Sequence, residues 1–229
     1  MNNFFSLLHE LIIRPRHGFT LIQNNSVPSW PAFLLIVLSL QLFWWLYFSQ
    51  VDMQWLIQYT IDINLGQSTP AEKAQLAEQL TPEVIRYTSS FGSLLMLLLQ
   101  GLLVASYLNI ATKLDPENTD TFTNWFGFYW WIQLPVVLQL LFSTMLLLVT
   151  DASQTTLYEL QITSLNQILA LQPGDKFYSF AASFDLFGLW SFVLMFYGLS
   201  VKTQLKTSTL ANICVIPLIA MITFSLVFS

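Results

Sequence analysis

Five runs of chain that are free of charge, or nearly so, constrain this sequence more than anything else in it. They cover 30–48, 89–111, 125–149, about 181–201 and 210–228, and only the fourth holds a charged residue, Asp185. Crossing a hydrocarbon core of ~30 Å takes about 20 mostly apolar residues at ~1.5 Å each, and each run is long enough. Backbone groups in hydrocarbon must be satisfied within their own segment, so these runs are helices rather than strands. Only 9% of the residues are charged, whereas a soluble domain carries about 25%. So little charge cannot cover a surface in water. The fold class is therefore all-α: an integral membrane bundle of five transmembrane helices forming one domain over 1–229.

The connecting segments alternate in charge. Residues 1–29, 112–124 and 202–208 hold Arg14, Arg16, Lys113, Lys202 and Lys206, while the longer segments 49–88 and 150–180 hold only Lys73, Arg86 and Lys176. Basic residues collect on the cytoplasmic side. The expected orientation has a cytoplasmic N-terminus and a C-terminus outside, which an odd number of spans requires. The N-terminal stretch lacks a positive n-region and a small-residue cleavage site, so it is read as retained rather than cleaved. Trp30, Trp44, Trp45, Trp125, Trp130 and Trp131 stand near span ends, the place of an aromatic belt.

Segment 1–29 is expected to open with an amphipathic helix. Phe4, Phe5, Leu8, Leu11 and Ile12 gather on one face, and Pro15 stops the helix because it lacks a donor and clashes with the preceding turn. Too short to span, it lies in the interface; the alternative packs it on the end of the bundle. Both outer loops should contain short helices. In the first, Thr69 is an N-cap with Pro70 at N1 and Glu72 at N3, a capping box, and Thr81-Pro82-Glu83 repeats the start signal. In the second, Leu157, Leu160, Leu165, Ile168 and Leu169 have partly helical spacing.

The candidates for a functional polar group within the spans are Gln100, Gln133, Gln139, Asp185 and Asn212. Amides in membrane helices turn inward and bond neighbouring helices, and Gly101 with Ala105 permits close approach. Pro135 and Pro217 bend their spans. Depth decides the reading of Asp185: counting about 20 residues back from Lys202 puts it in the first helical turn, with Ser183 as N-cap. Chemistry is otherwise sparse. Net charge −5 excludes a nucleic-acid partner. A single cysteine, Cys214, offers no disulfide within the chain, and His9 and His17 lack a third ligand. No phosphate loop or nucleophile motif appears. Asp115, Glu117, Asn118 and Asp120 in "KLDPENTD" contain the donors for a divalent cation, but the short spacing around Pro116 reads better as a polar turn. No cofactor, metal or catalytic residue is expected.

The segment "RPRHGF", the five-helix plan and the closing block "DLFGLWSFVLMFYGLSVKTQLKTSTLA" together resemble the Yip family of multi-pass membrane proteins, in its bacterial form. Arg14, Pro15 and Phe19 match its N-terminal element. Phe122, Tyr129 and Pro135 match its short loop and third span, and Trp190, Gly198 and Lys202, with Lys206, its fourth span. No proline stands in Phe184-Asp185-Leu186-Phe187, where family members often carry one. The resemblance implies a non-enzymatic structural or accessory membrane protein, related to trafficking or export and set in the bacterial inner membrane. Its expected partners are membrane lipids and other membrane proteins or further copies of itself. The alternative is a small solute transporter or channel subunit using Gln133, Gln139 and the bent spans.

Overall fold

The computed structural model describes residues 4–65, 68–171, 175, 177–182 and 184–228. Ser183, the expected N-cap, lies outside them. Every regular element among the described residues is a helix, apart from one isolated antiparallel bridge between Ser164 and Asp185. Three stretches are long and apolar enough to cross a bilayer: Trp30–Gln50, Pro82–Leu114 and Phe122–Val149, of 21, 33 and 28 residues. The regions expected as fourth and fifth spans hold shorter apolar helices, Leu186–Lys202 and Thr207–Ala220.

The differences from the expected boundaries have local causes. Helix α1 (Phe4–Ile13) ends before Pro15 as the residue pattern requires, but the same proline then occupies N1 of α2 (Pro15–Asn24). Proline fits that position because a first-turn N–H has no intrahelical partner to lose. After α3 (Trp30–Gln50), Asp52 caps α4 (Met53–Asn64), its carboxylate accepting from the Gln54 and Trp55 N–H groups. The capping box of α5 (Pro70–Gln79) forms as expected, with Glu72 accepting from the Thr69 N–H at 2.8 Å. That bond holds the Glu72 carboxyl below its ordinary range. Thr81 then starts α6 (Pro82–Ala111), which is longer than the expected span. The third span is divided into α7 (Phe122–Ile132) and α8 (Pro135–Val149), because Pro135 cannot donate to the preceding turn. Past α9 (Leu165–Ile168) and α10 (Tyr178–Ala182), α11 (Leu186–Lys202) is shorter than expected. Residues 184–186 pair with 163–165 instead, the Leu165 N–H donating to the Phe184 carbonyl at 2.8 Å. Helix α12 (Thr207–Phe228) closes the chain.

The chain divides into two compact units. Unit 2 (Val37–Leu99 and Val137–Ile162) has an aromatic core. Phe43, Trp44, Tyr47 and Phe48 of α3 pack with Ile85, Leu147, Ala152 and Leu160. Polar tips of these rings are bonded inside the unit: the Trp44 indole donates to Ser93 Oγ at 2.8 Å and the Tyr47 hydroxyl to the Thr155 carbonyl at 3.1 Å. The belt expectation therefore needs correction. Trp30 and Trp45 are exposed at 62% and 67%, but Trp44, Trp125, Trp130 and Trp131 are buried. An indole is large enough to fill a helix interface; the Trp44 N–H finds a partner there and the buried Trp125 N–H finds none among the described residues, and position near a span end does not reveal which way either ring points.

Unit 1 (Met1–Ile36, Gln100–Val136 and Thr163–Ser229) joins the N-terminal hairpin to α7, α11 and α12. Helix α1 divides its apolar residues: Leu7 and Leu11 are buried, whereas Phe5, Ile12 and Ile13 are exposed. Leu11 meets Gly18 of α2 so closely that a Cβ on Gly18 would lie 2.9 Å from its backbone. Glu10 accepts from His17 at 2.9 Å, and this bond keeps the Glu10 carboxyl below its usual range. The pair's support for the hairpin is thus present above the ordinary carboxylate pKa and lost as pH falls through the lowered one.

Pro217 lies inside α12 without ending it. Its missing N–H frees the carbonyl four residues back, at Ile213. The Tyr107 hydroxyl of α6 donates to that carbonyl at 2.8 Å. We expect Tyr107→Phe to lower stability by roughly 1–3 kcal/mol, the cost of a buried carbonyl left unsatisfied. In a Pro217→Ala background the helix supplies its own donor and the cost should fall towards zero. Thermal unfolding of the four proteins in detergent checks this; equal costs in both backgrounds would show that the two residues are not coupled.

Candidate functional site

In unit 1 the three segments richest in basic residues (1–29, 112–124 and 202–208) come together. A short 3₁₀ turn, Thr112–Leu114, follows α6 and delivers Asp115 into the interior, 5% exposed. Its two carboxylate oxygens hold two different chain segments. Oδ2 accepts from the Gln204 N–H at 2.7 Å, and Oδ1 accepts from the Glu117 N–H at 3.1 Å. Helix α11 ends just before Gln204 because Thr203 closes it: the Thr203 N–H and hydroxyl both donate to the Leu199 carbonyl. Its last residue, Lys202, pairs with Asp120 at 2.8 Å. The same ammonium stands 5.2 Å from the ring centre of the fully buried Trp125, a cation–π distance.

Asp120 is itself positioned, its N–H donating to Asn118 Oδ1 at 2.7 Å. Thr121 then bonds Asn124 through its N–H (3.0 Å) and its hydroxyl (2.6 Å), which starts α7. The acids of "KLDPENTD" thus point to separate partners, Asp115 to main-chain N–H groups and Asp120 to a lysine. The segment is a polar turn. No group of three or more potential metal ligands occurs among the described residues.

Beneath this polar layer, aromatic rings press against glycines. A Cβ on Gly198 would lie 2.3 Å from the Phe128 ring and 3.1 Å from Phe19, which themselves pack at 5.4 Å between centroids. Gly101 faces Tyr129 in the same way, at 2.8 Å. Beside these contacts lies a cavity of about 370 Å³ whose lining includes Phe19, Gln23, Ser26, Asn124, Phe128 and Lys202. Apolar rings form one wall, and amides, hydroxyls and an ammonium form another. Such a site suits an amphiphile or a short polar segment better than it suits covalent chemistry.

A family model described as the Yip1 domain matches residues 10–229. The chain belongs to the Yip1 domain family. No curated protein and no solved structure gives a significant match. Several positions read as the Yip1 pattern meet in this structure. Phe19 and Gly198 share the Phe128 contact, and Lys202 pairs with Asp120 in the loop before Phe122. Pro15 starts α2, Tyr129 packs on Gly101, and Pro135 starts α8. Arg14 is exposed and Trp190 half-buried, neither taking part in that cluster.

The candidate polar residues within the spans do not form one track. Gln133 is buried and accepts from the Ser191 hydroxyl at 3.4 Å. Gln139 is half-buried on α8, while Gln100 and Asn212 are exposed. Asp185 is the N-cap of α11 itself rather than a first-turn residue: one oxygen accepts from the Phe187 N–H at 2.7 Å and the other from the Thr163 hydroxyl. Sequence reasoning missed Phe128 and the Asp115–Gln204 clamp. The available signal for the clamp was charge: an acidic loop and a lysine pair stood in two short segments expected on the same side.

The close approach of Gly198 to the Phe128 ring gives a test. Gly198→Ala should destabilise by about 1–3 kcal/mol, the usual cost of overpacking. Trimming the opposing ring in Gly198→Ala/Phe128→Leu should recover much of it. Thermal midpoints in detergent read both, and a neutral Gly198→Ala would mean that α11 is free to shift.

Proposed function

We propose that this Yip1-family chain is a non-enzymatic accessory or scaffolding component of the membrane. It acts in trafficking or export through contacts with other membrane proteins or with further copies of itself. The working topology keeps the five spans of one domain, with the N-terminus in the cytoplasm, the C-terminus outside, and the bacterial inner membrane as its location. The observation that carries this reading is the use made of the charged groups. Asp115, Asp120, Lys202 and Asp185 are each engaged in a cap, clamp or ion pair, an arrangement suited to holding shape rather than turning over a substrate. Family membership over 10–229 supports the same reading.

Purification in mild detergent followed by native mass spectrometry tests it. A stoichiometric membrane-protein partner, or a defined self-assembly, is the expected result. Solute flux through reconstituted vesicles that Gln133→Ala or Gln139→Ala abolishes would overturn the proposal in favour of a transporter. Asp185→Asn provides a sharper check. Asparagine caps a helix as well as aspartate does. The variant therefore loses only the charge at the positive end of the helix, about 0.3–1 kcal/mol, and should be slightly less stable, insert normally and keep its partner. Abolished function in a normally inserted variant would return Asp185 to an ion-coupling role.

A further inference from the structure

The elbow between α1 and α2 carries two charges that the fold does not use. Arg14 and Arg16 flank Pro15, and both are exposed. The ion pairs among the described residues are Glu10–His17, Asp62–Lys73 and Asp120–Lys202, so neither guanidinium has one. The Glu10 carboxylate feels Arg14 only from beyond ion-pair distance. With Ile13, His17, Thr20 and Tyr197 the two arginines line an open depression of about 510 Å³. The elbow is rigid. Leu11 against Gly18 fixes the approach of the two helices, and α2 packs along α11, which contributes Tyr197.

Two further features act in the same direction. Arg14, at the N-cap of α2, makes no side-chain cap bond, so the positive end of a ten-residue helix opens towards the same depression. Ile13, which lines it, is 60% exposed, and Ile12 and Phe5 on the same helix are exposed at 43% and 73%. Cationic forks beside bare aliphatic and aromatic side chains match a molecule with an anionic head and a hydrocarbon body.

We propose that this elbow is a binding site for the phosphate of an anionic glycerophospholipid. Arg14 and Arg16 take the phosphate oxygens through guanidinium N–H donors, whose planar geometry suits paired oxygens better than an ammonium does. Thr20 and Tyr197 border the headgroup, and Phe5, Ile12 and Ile13 lie against the acyl chains. The inference deepens the membrane reading above and rests on it. It adds a lipid class and the residues that choose it.

The test uses full-length protein in neutral detergent, titrated separately with phosphatidylglycerol, phosphatidylcholine and inorganic phosphate, with bound ligand counted by native mass spectrometry. Phosphatidylglycerol should bind in preference to phosphatidylcholine, and inorganic phosphate should neither bind well nor displace it. Each arginine near an anionic surface contributes about fivefold, so Arg14→Gln/Arg16→Gln should weaken phosphatidylglycerol binding about 30-fold. The single variant Arg16→Gln should lose about fivefold, and Arg86→Gln, on α6, should lose nothing. Both arginines are exposed, so thermal midpoints should stay unchanged. Equal retention of the two lipids, an unaffected double variant, or inorganic phosphate binding as tightly as the lipid would each overturn the site. An alkaline wash of native membranes separates the two levels of the argument. A wild-type chain that stays in the membrane without lipid preference sinks this inference alone, and a chain that washes off sinks the membrane reading beneath it.

Discussion

In hydrocarbon no water is at hand to satisfy a peptide group, so each N–H and C=O there must find its partner in protein. That requirement explains the helices, and it explains more sharply what happens where a helix is interrupted. Pro135 is met by ending one helix and starting another. Pro217 is met from outside, the Tyr107 hydroxyl donating to the carbonyl that proline frees. Helix ends follow the same rule with side chains: Thr112 donates to the Leu108 carbonyl and Thr203 to that of Leu199. Asp52 and Asp185 accept from first-turn N–H groups. Asp52, Thr112, Asp115, Asp185 and Thr203, polar side chains that could have suggested chemistry, are in fact completing backbone.

The two compact units meet this demand with different materials. Unit 2 packs rings of one helix against short polar crossings, such as the Ser143 hydroxyl donating to the Leu160 carbonyl. Unit 1 packs rings against glycines and closes its loops with charge. A glycine opposite a ring brings two helices close, and a buried carboxylate then ties together the turns that follow them. Phe19, Tyr129, Gly198 and Lys202, read from the sequence as resembling the Yip pattern, fall on these contacts.

Helix class, the capping box at Thr69, the start at Pro82 and a disturbance at Pro135, expected as a bend and found as a break, were legible because each depends on residues a few positions apart. What was not legible depends on partners distant in the chain. A run of apolar letters does not say where a helix yields to a bridge, so α11 begins at Leu186 because Thr163 to Leu165 compete for its first residues. Nor does it say which indoles turn inward, since Trp44 and Trp45 differ only by a rotation of ~100° about α3. The second helix at Pro15 was hidden by treating proline as a stop alone. The site was half legible: its acids and lysines stood out, but their pairing required the fold.

The Asp115 clamp has a consequence for how this sequence can drift. Its carboxylate grips the main-chain N–H of Gln204, not the amide side chain. Any residue except proline can present that N–H, so position 204 is open to almost free exchange. Position 115 has no such freedom, because only a short carboxylate at that turn reaches two main-chain donors at once. One end of the contact tolerates change and the other does not, so substitution at 204 leaves the join between the two loops in place.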